Sequence, residues 1–203
     1  MTSSWNPLTV EQVFDRFSPF DVDWWIAGGH AIDLFLGWQT RAHDDIDIEM
    51  FRSDRGALSS IFDGWDLHAV SVGGSVPWAP GDDLDAATFG IWGRPSPDGP
   101  WAVEIMLADG DIDQWRFRRD PAITLAGEAL VRRTSAGVPY CTPEVQLLYK
   151  SKQSRPKDDV DLTRVLHKMS RVQRSWLREA IGRSDTEHPW ISVLEKANEG
   201  HRE

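Results

Sequence analysis

Three carboxylates stand where carboxylates cost stability. From Asp45 to Phe51 acidic and apolar residues alternate, which is the period of a strand, so Asp45, Asp47 and Glu49 share one face and Ile46, Ile48 and Met50 the other. Aspartate is depleted in strands because its short side chain competes for local backbone donors. Positions two apart on a strand lie about 7 Å from each other, close enough for Asp45 and Asp47 to bracket one or two cations. A third acid, Glu104, sits in the apolar run WAVEIML (101–107) on the same face as Ala102 and Met106. If that strand lies beside the first, three carboxylates converge, and their repulsion calls for a divalent cation. All-oxygen ligation suits Mg²⁺ or Mn²⁺ rather than zinc or copper.

Other readings compete with a metal centre. Asp45 and Asp47 could be solvated acids of an edge strand, with Glu104 paired to Arg116 or Arg118. His43 and Asp45 also fit the H-x-D start of a two-histidine iron site with His167 or His188, although that leaves Asp47 and Glu104 unexplained. His43 is more simply a group that holds Asp45 or its loop. The chain has no Walker A sequence, no HExxH and no G-x-S-x-G.

The positioning elements are legible in outline. Thr9 and Gln12 have capping-box spacing, and Val10, Val13, Phe14 and Phe17 form a helical stripe. A short apolar run, Trp24 to Ala27, ends at Gly28-Gly29, followed by a short helix from Ala31 to Leu36 that Gly37 closes. A helix from about Asp54 to Phe62 and a Gly/Pro-punctuated region of short strands up to Thr142 come next. Thr142-Pro143-Glu144 then starts a helix, Asp158 and Asp159 open another with a stripe at Leu162, Val165, Leu166 and Met169, and two more end at Gly182 and near Gly200. The expectation is an α/β region over 1–138 and a helical region over 139–203.

Gly28-Gly29-His30-Ala31-Ile32-Asp33 and Thr40-Arg41-Ala42-His43-Asp44-Asp45-Ile46-Asp47 together resemble the nucleotidyltransferase superfamily. More narrowly, they resemble its aminoglycoside and lincosamide adenylyltransferases, with their GG-x-A-x-D and T-R-x-H-x-D-x-D pattern. The later KSKQSRPKDDVD is similar to that branch's lysine and KD-x-x-D segment. The resemblance implies an α+β nucleotidyltransferase fold, a mixed sheet with flanking helices followed by a helical C-terminal region. It further implies transfer of AMP from ATP to a hydroxyl of a small molecule, with pyrophosphate released. Asp45, Asp47 and Glu104 would be catalytic and hold two Mg²⁺ ions (Mn²⁺ being possible), with Glu104 also the general base. Gly28, Gly29, Arg41 and Lys150 would bind the nucleotide. The broader superfamily has Gly-Ser where this chain has Gly28-Gly29, so no hydroxyl is offered to the triphosphate. Physically, two glycines at a strand end let the backbone approach a phosphate near a helix N-terminus. A nucleotidyltransferase of toxin–antitoxin type, modifying protein or tRNA, and a non-catalytic nucleotide-binding module are the alternatives. Lys152, Asp158 and Asp161 read as a solvated lysine and helix N-terminal acids.

Composition bounds the partners. The 203 residues carry a net charge of −10, which disfavours broad nucleic-acid binding. A single cysteine, Cys141, excludes a disulfide framework and a Cys-based zinc site. No apolar run nears the roughly 20 residues of a membrane span, and the start MTSSWNPLTVEQ does not read as a signal peptide. The expectation is therefore a soluble, cytoplasmic chain. Asp82, Asp83 and Asp85 could favour a cationic acceptor such as an aminosugar. Most of the eleven tryptophans are expected in packing, with a few able to wall a pocket.

Overall fold

The computed structural model describes residues 4–199. Its centre is one mixed sheet, and the order of strands explains how distant acids meet. The strands are β1 (Trp24–Ile26), β2 (Asp47–Phe51), β3 (Asp66–Ser71), β4 (Gly74–Pro77), β5 (Gly90–Arg94), β6 (Val103–Gly110), β7 (Trp115–Arg116), β8 (Thr124–Leu125), β9 (Val131–Arg133) and β10 (Pro139–Cys141). Their order is β4-β3-β5-β6-β2-β1-β10-β9, with β7 and β8 extending from β6. The pairs β2–β6 and β1–β10 are parallel and the others antiparallel.

The helices are α1 (Val10–Phe17), α2 (Gly28–Leu36), α3 (Leu58–Ile61), α4 (Gly127–Leu130), α5 (Pro143–Ser151), α6 (Pro156–Leu166), α7 (Arg171–Gly182) and α8 (Pro189–Glu199). The expected capping box forms: Thr9 Oγ1 accepts from the Gln12 amide, and Gln12 Oε1 from the Thr9 amide. Val13 and Phe17 from that helix are fully buried. Gly37 closes α2 in the left-handed conformation, φ +86°, with its amide bonded to the Asp33 carbonyl.

Several boundaries differ from the expected ones, each for a local reason. α2 begins at Gly28 rather than Ala31, so both glycines belong to its first turn. Asp54 falls in a 3₁₀ turn, Arg52–Ala57, and only Leu58–Ile61 is α-helical. Thr142 precedes α5 but does not cap it, because its hydroxyl donates to the Ala129 carbonyl. Asp158 lies in the third position of α6, which starts at Pro156 and ends before Met169. The end expected near Gly200 lies outside the described residues. Position 138 falls just before β10, and from Pro143 onward the described chain is helical. That helical part is not a separate body, since Val145, Leu162, Leu177 and Leu194 join Ile48, Ile105 and Trp25 in one core. Among the described residues no helix is long and apolar enough to cross a membrane.

Candidate active site

The alternating segment works as expected, although its strand starts two residues late. Asp45 and Ile46 lead into β2 without belonging to it. Ile46, Ile48 and Met50 are nevertheless fully buried, so the two faces keep their assignment. The lead-in is held by the Ile46 carbonyl, which accepts from the Glu104 amide, and by the Asp47 carbonyl, which accepts from Ala27. Across β2–β6, Asp47 is the register partner of Glu104. Asp47 and Glu104 thus share one face of the sheet, with Asp45 in the lead-in close enough to act on both.

Asp47 and Glu104 pay an electrostatic penalty for this placement. Burial pushes the Asp47 carboxyl up to about 7, with Glu104 and Asp45 adding to the rise and Lys150 and Lys157 opposing it. Burial also raises Glu104, Asp45 adds to this, and the Trp92 indole works against it. Neither arginine weighed as a partner for Glu104 reaches it. Arg116 binds Gln114, and Arg118 binds the carbonyls of Thr88 and Ala86. An all-carboxylate set, with Asp47 and Glu104 half-buried and Asp45 exposed, is one that Mg²⁺ or Mn²⁺ fits. The three oxygens are not drawn tightly together, as expected of like charges with nothing between them. Among the described residues, the group of three whose ligand atoms lie within 4.8 Å of one another is instead His30, Asp33 and His43.

The glycines owe their identity to these side chains. Gly28 has φ +63°, and a Cβ there would land on the Asp47 carboxylate. Its amide donates to Gln146 Oε1 at 2.8 Å, so that N–H is not free for a phosphate. A Cβ on Gly29 would strike the Arg41 guanidinium and the His43 ring. His43 holds its loop rather than Asp45: its Nε2 lies 2.6 Å from Asp33 Oδ2 on α2, and it is joined by neither His167 nor His188. His167 is exposed at the end of α6, and His188 bonds the Ser151 carbonyl and the Trp190 amide.

Lys150 is more deeply committed than a solvated or phosphate-seeking lysine. Its Nζ lies 2.9 Å from Asp158 Oδ1 and 3.0 Å from Asp161 Oδ2, with all three side chains buried. Asp158 also accepts from the Arg155 amide and Nε. It is therefore both the helix-start acid expected and part of a buried ion cluster, whereas Asp161 serves only the cluster. One further carboxylate, Glu49, is buried two residues beyond Asp47, where Trp25 Nε1 and the Tyr149 hydroxyl donate to it at 2.9 and 3.0 Å.

Gly28, Gly29, Asp45, Asp47, Tyr149 and Asp158 line a cleft of about 440 Å³ together with Arg41, Arg119, Lys150, Lys152, Arg155 and Lys157, whereas Glu104 stands beside Asp47 and is not among the lining residues. Six bases against three acids reverse the sign of the chain's overall charge at this one place, which favours a polyanion beside the carboxylates. Arg119, Arg155 and Lys157 were not legible in advance, because only the fold brings the segment after β7 and the α5–α6 turn to the same rim. Lys152, expected to be merely solvated, also lines this cleft. Asp82, Asp83 and Asp85 do not; they sit in the β4–β5 connection, where Asp82 and Asp85 carboxylates accept from Ala79 and Ala87 amides. No tryptophan lines the cleft either.

A family model described as aminoglycoside-2''-adenylyltransferase matches residues 9–65. The fold is similar to a crystal structure of the lincosamide antibiotic adenylyltransferase LnuA with lincomycin bound. The identity there is 17%, coverage is 79% of this chain and 98% of that one, and the TM-score is 0.55. It is also similar to a solution structure of the antibiotic-resistance factor ANT(2'')-Ia, at 20% identity, 95% and 96% coverage and a TM-score of 0.57. A comparison with curated proteins finds no match. At these identities the structural likeness establishes the fold, and the local family match covers the segment that carries both glycines, Arg41, Asp45 and Asp47.

Proposed function

We propose that this chain, which has the nucleotidyltransferase fold and resembles the aminoglycoside and lincosamide adenylyltransferases, moves AMP from ATP onto a hydroxyl of a small acceptor and releases pyrophosphate. The observation that carries this reading is the meeting of Asp47 with Glu104 across β2–β6, beside a cleft rimmed by six bases.

The basic rim fits the triphosphate, with Arg41, Lys152, Arg155 and Lys157 offering charge-assisted donors to its oxygens. Lys150 contributes mainly by fixing α5 against α6, since its ammonium already serves two carboxylates. Asp45, Asp47 and Glu104 would hold divalent cations, Mg²⁺ or Mn²⁺, which supply charge neutralisation for the attacking oxygen and the departing pyrophosphate. Glu104, its affinity for a proton raised by burial, takes the proton of the acceptor hydroxyl. The freed oxygen forms a bond to the α-phosphorus as the bond to the β-phosphate bridging oxygen breaks, and the electron pair leaves with pyrophosphate. A reaction that draws on ATP fits a cytoplasmic location, which this reading keeps.

The acceptor class rests on the relatives: an aminoglycoside- or lincosamide-like hydroxylated molecule. The test is to incubate the protein with ATP, Mg²⁺ and a panel of such acceptors, and to follow acceptor mass and pyrophosphate together. Mass gained by a small acceptor supports the reading. Mass gained only by a protein or tRNA favours a toxin-type transferase, and nucleotide binding without turnover favours a binding module.

A further inference from the structure

A second convergence of ligand-type side chains lies next to Gly29, outside the carboxylate set. His30 and Asp33 sit three residues apart on α2 and so project from one face of the helix. His43, from the loop leading into β2, folds back over that face. One ligand atom from each of the three lies within 4.8 Å of the other two. The His30 and His43 rings stack with centroids 4.1 Å apart and planes 36° apart.

The two oxygens of Asp33 have separate tasks. Oδ1 accepts from the Thr40 amide at 3.0 Å and from its hydroxyl at 2.6 Å. Oδ2 is turned to the imidazoles and lies 2.6 Å from His43 Nε2. Outer hydrogen bonds of this kind orient a ligating carboxylate and hold it in place. An Asp33–His43 hydrogen bond alone would explain how the loop is tied to α2, but it gives no role to His30. Among the described residues neither ring nitrogen of His30 has a hydrogen-bond partner, and its ring touches His43.

The cluster also has its own entrance. A pocket of about 560 Å³, lined by His30, Asp33, Gly37, Trp38 and Thr134, reaches two of the three residues, and neither Asp45 nor Asp47 lines it. An entry path, two converging imidazoles and a braced carboxylate are the features a metal site needs. Two imidazole nitrogens and one carboxylate oxygen form a donor set for zinc or a similar transition metal, whereas the cleft offers only oxygen.

We propose that His30, Asp33 and His43 form a second metal site, selective for a borderline divalent cation such as Zn²⁺ and distinct from the oxygen-only set in the cleft. Binding requires the His43 proton to leave Nε2 for Nδ1 and the Asp33–His43 contact to open by less than about 1 Å, so that both can ligate at about 2.0–2.2 Å. Once occupied, the site ties α2 to the loop that carries Arg41 and Asp45, which makes it structural or regulatory rather than part of the transfer chemistry.

The test is titration of metal-free protein with Co²⁺ and Zn²⁺ in excess Mg²⁺, by calorimetry and by the visible absorption of bound Co²⁺. The expected result is one equivalent of Co²⁺ with nitrogen/oxygen ligand-field bands, displaced by Zn²⁺. Asp47→Asn should retain it, and His30→Gln should weaken it by at least about tenfold. Circular dichroism checks that His30→Gln folds. In the unaltered protein, Zn²⁺ should shift the His30 and His43 ring resonances and leave those of His188 in place. Failure to bind one equivalent, binding undiminished in His30→Gln, binding lost in Asp47→Asn, or unmoved His30 and His43 signals would each overturn the site. None of these readouts depends on nucleotidyl transfer.

Discussion

Asp47 and Glu104 face each other as register partners across the parallel pair β2–β6, and the Asp47 carboxylate rests against the Cα of Gly28. Two carboxylates side by side in a sheet repel, and among the described residues neither has an ion pair to offset this. The fold tolerates the pair because the opposite face of the same strands is packed, with Ile48, Ile105 and Val103 fully buried there. Locally unfavourable groups held by a rigid frame are expected at functional sites.

Asp47→Asn should therefore separate stability from function. Without metal, the variant should be more stable than the unaltered protein by roughly 1–2 kcal/mol, because a buried, mutually repelled charge is gone. It should also lose turnover and the rise in melting temperature that Mg²⁺ with ATP gives the parent. Paired thermal melts with and without Mg-ATP check both. A destabilised variant that still responds to Mg-ATP contradicts the assignment.

Glu104→Gln keeps the shape of the side chain and removes its basicity. ATP binding should persist while kcat falls by about 10² or more. Calorimetric ATP titration beside steady-state kinetics distinguishes this from a simple ligand role, in which affinity and rate would fall together.

The two left-handed glycines of this region should respond differently to alanine. At Gly37 nothing lies within 4 Å of a new Cβ, so Gly37→Ala costs only backbone strain of about 1–2 kcal/mol. At Gly28 the same methyl meets Asp47, and the variant should lose more stability and nearly all activity. Urea denaturation of the two variants, measured together, gives the comparison.

Lys150 should behave as a stability residue before anything else. Lys150→Met leaves Asp158 and Asp161 buried without their shared cation and should cost about 3–5 kcal/mol. Burial favours protonated Asp158, yet Arg155 and Lys150 overcome it and hold the carboxyl well below the usual range. A depressed native pKa gives stability that is present above the unfolded value, about 3.9, and lost as pH falls below it. Asp158→Asn should flatten that acid limb, as read from unfolding free energy against pH.

The sequence showed Asp45, Asp47 and Glu104 because acids on strands violate a local preference, and local violations can be seen without a fold. It also showed α1 by its capping box and stripe, the start of α5 by Pro143, and α6 by its opening acids and stripe, because these signals lie within a few residues of each other. It could not show that Asp158 and Asp161 neutralise Lys150, since a buried ion cluster looks the same in sequence as a solvated helix face. Nor could it show that Gly28 is shaped by Asp47 or that His43 turns to Asp33 and His30. These contacts depend on how α2 crosses the end of β2, a matter of tertiary packing. The basic rim escaped for the same reason, being assembled from three separate segments.

The central claim is adenylyl transfer at the Asp47–Glu104 pair, and phosphorus NMR of a complete reaction tests it most directly. With ATP, Mg²⁺ and a hydroxylated aminoglycoside or lincosamide, the account predicts pyrophosphate and a new phosphodiester signal on the acceptor, in equal amounts. Both should be absent with Asp47→Asn. Formation of ADP with a phosphorylated acceptor, or transfer that survives Asp47→Asn, would contradict it.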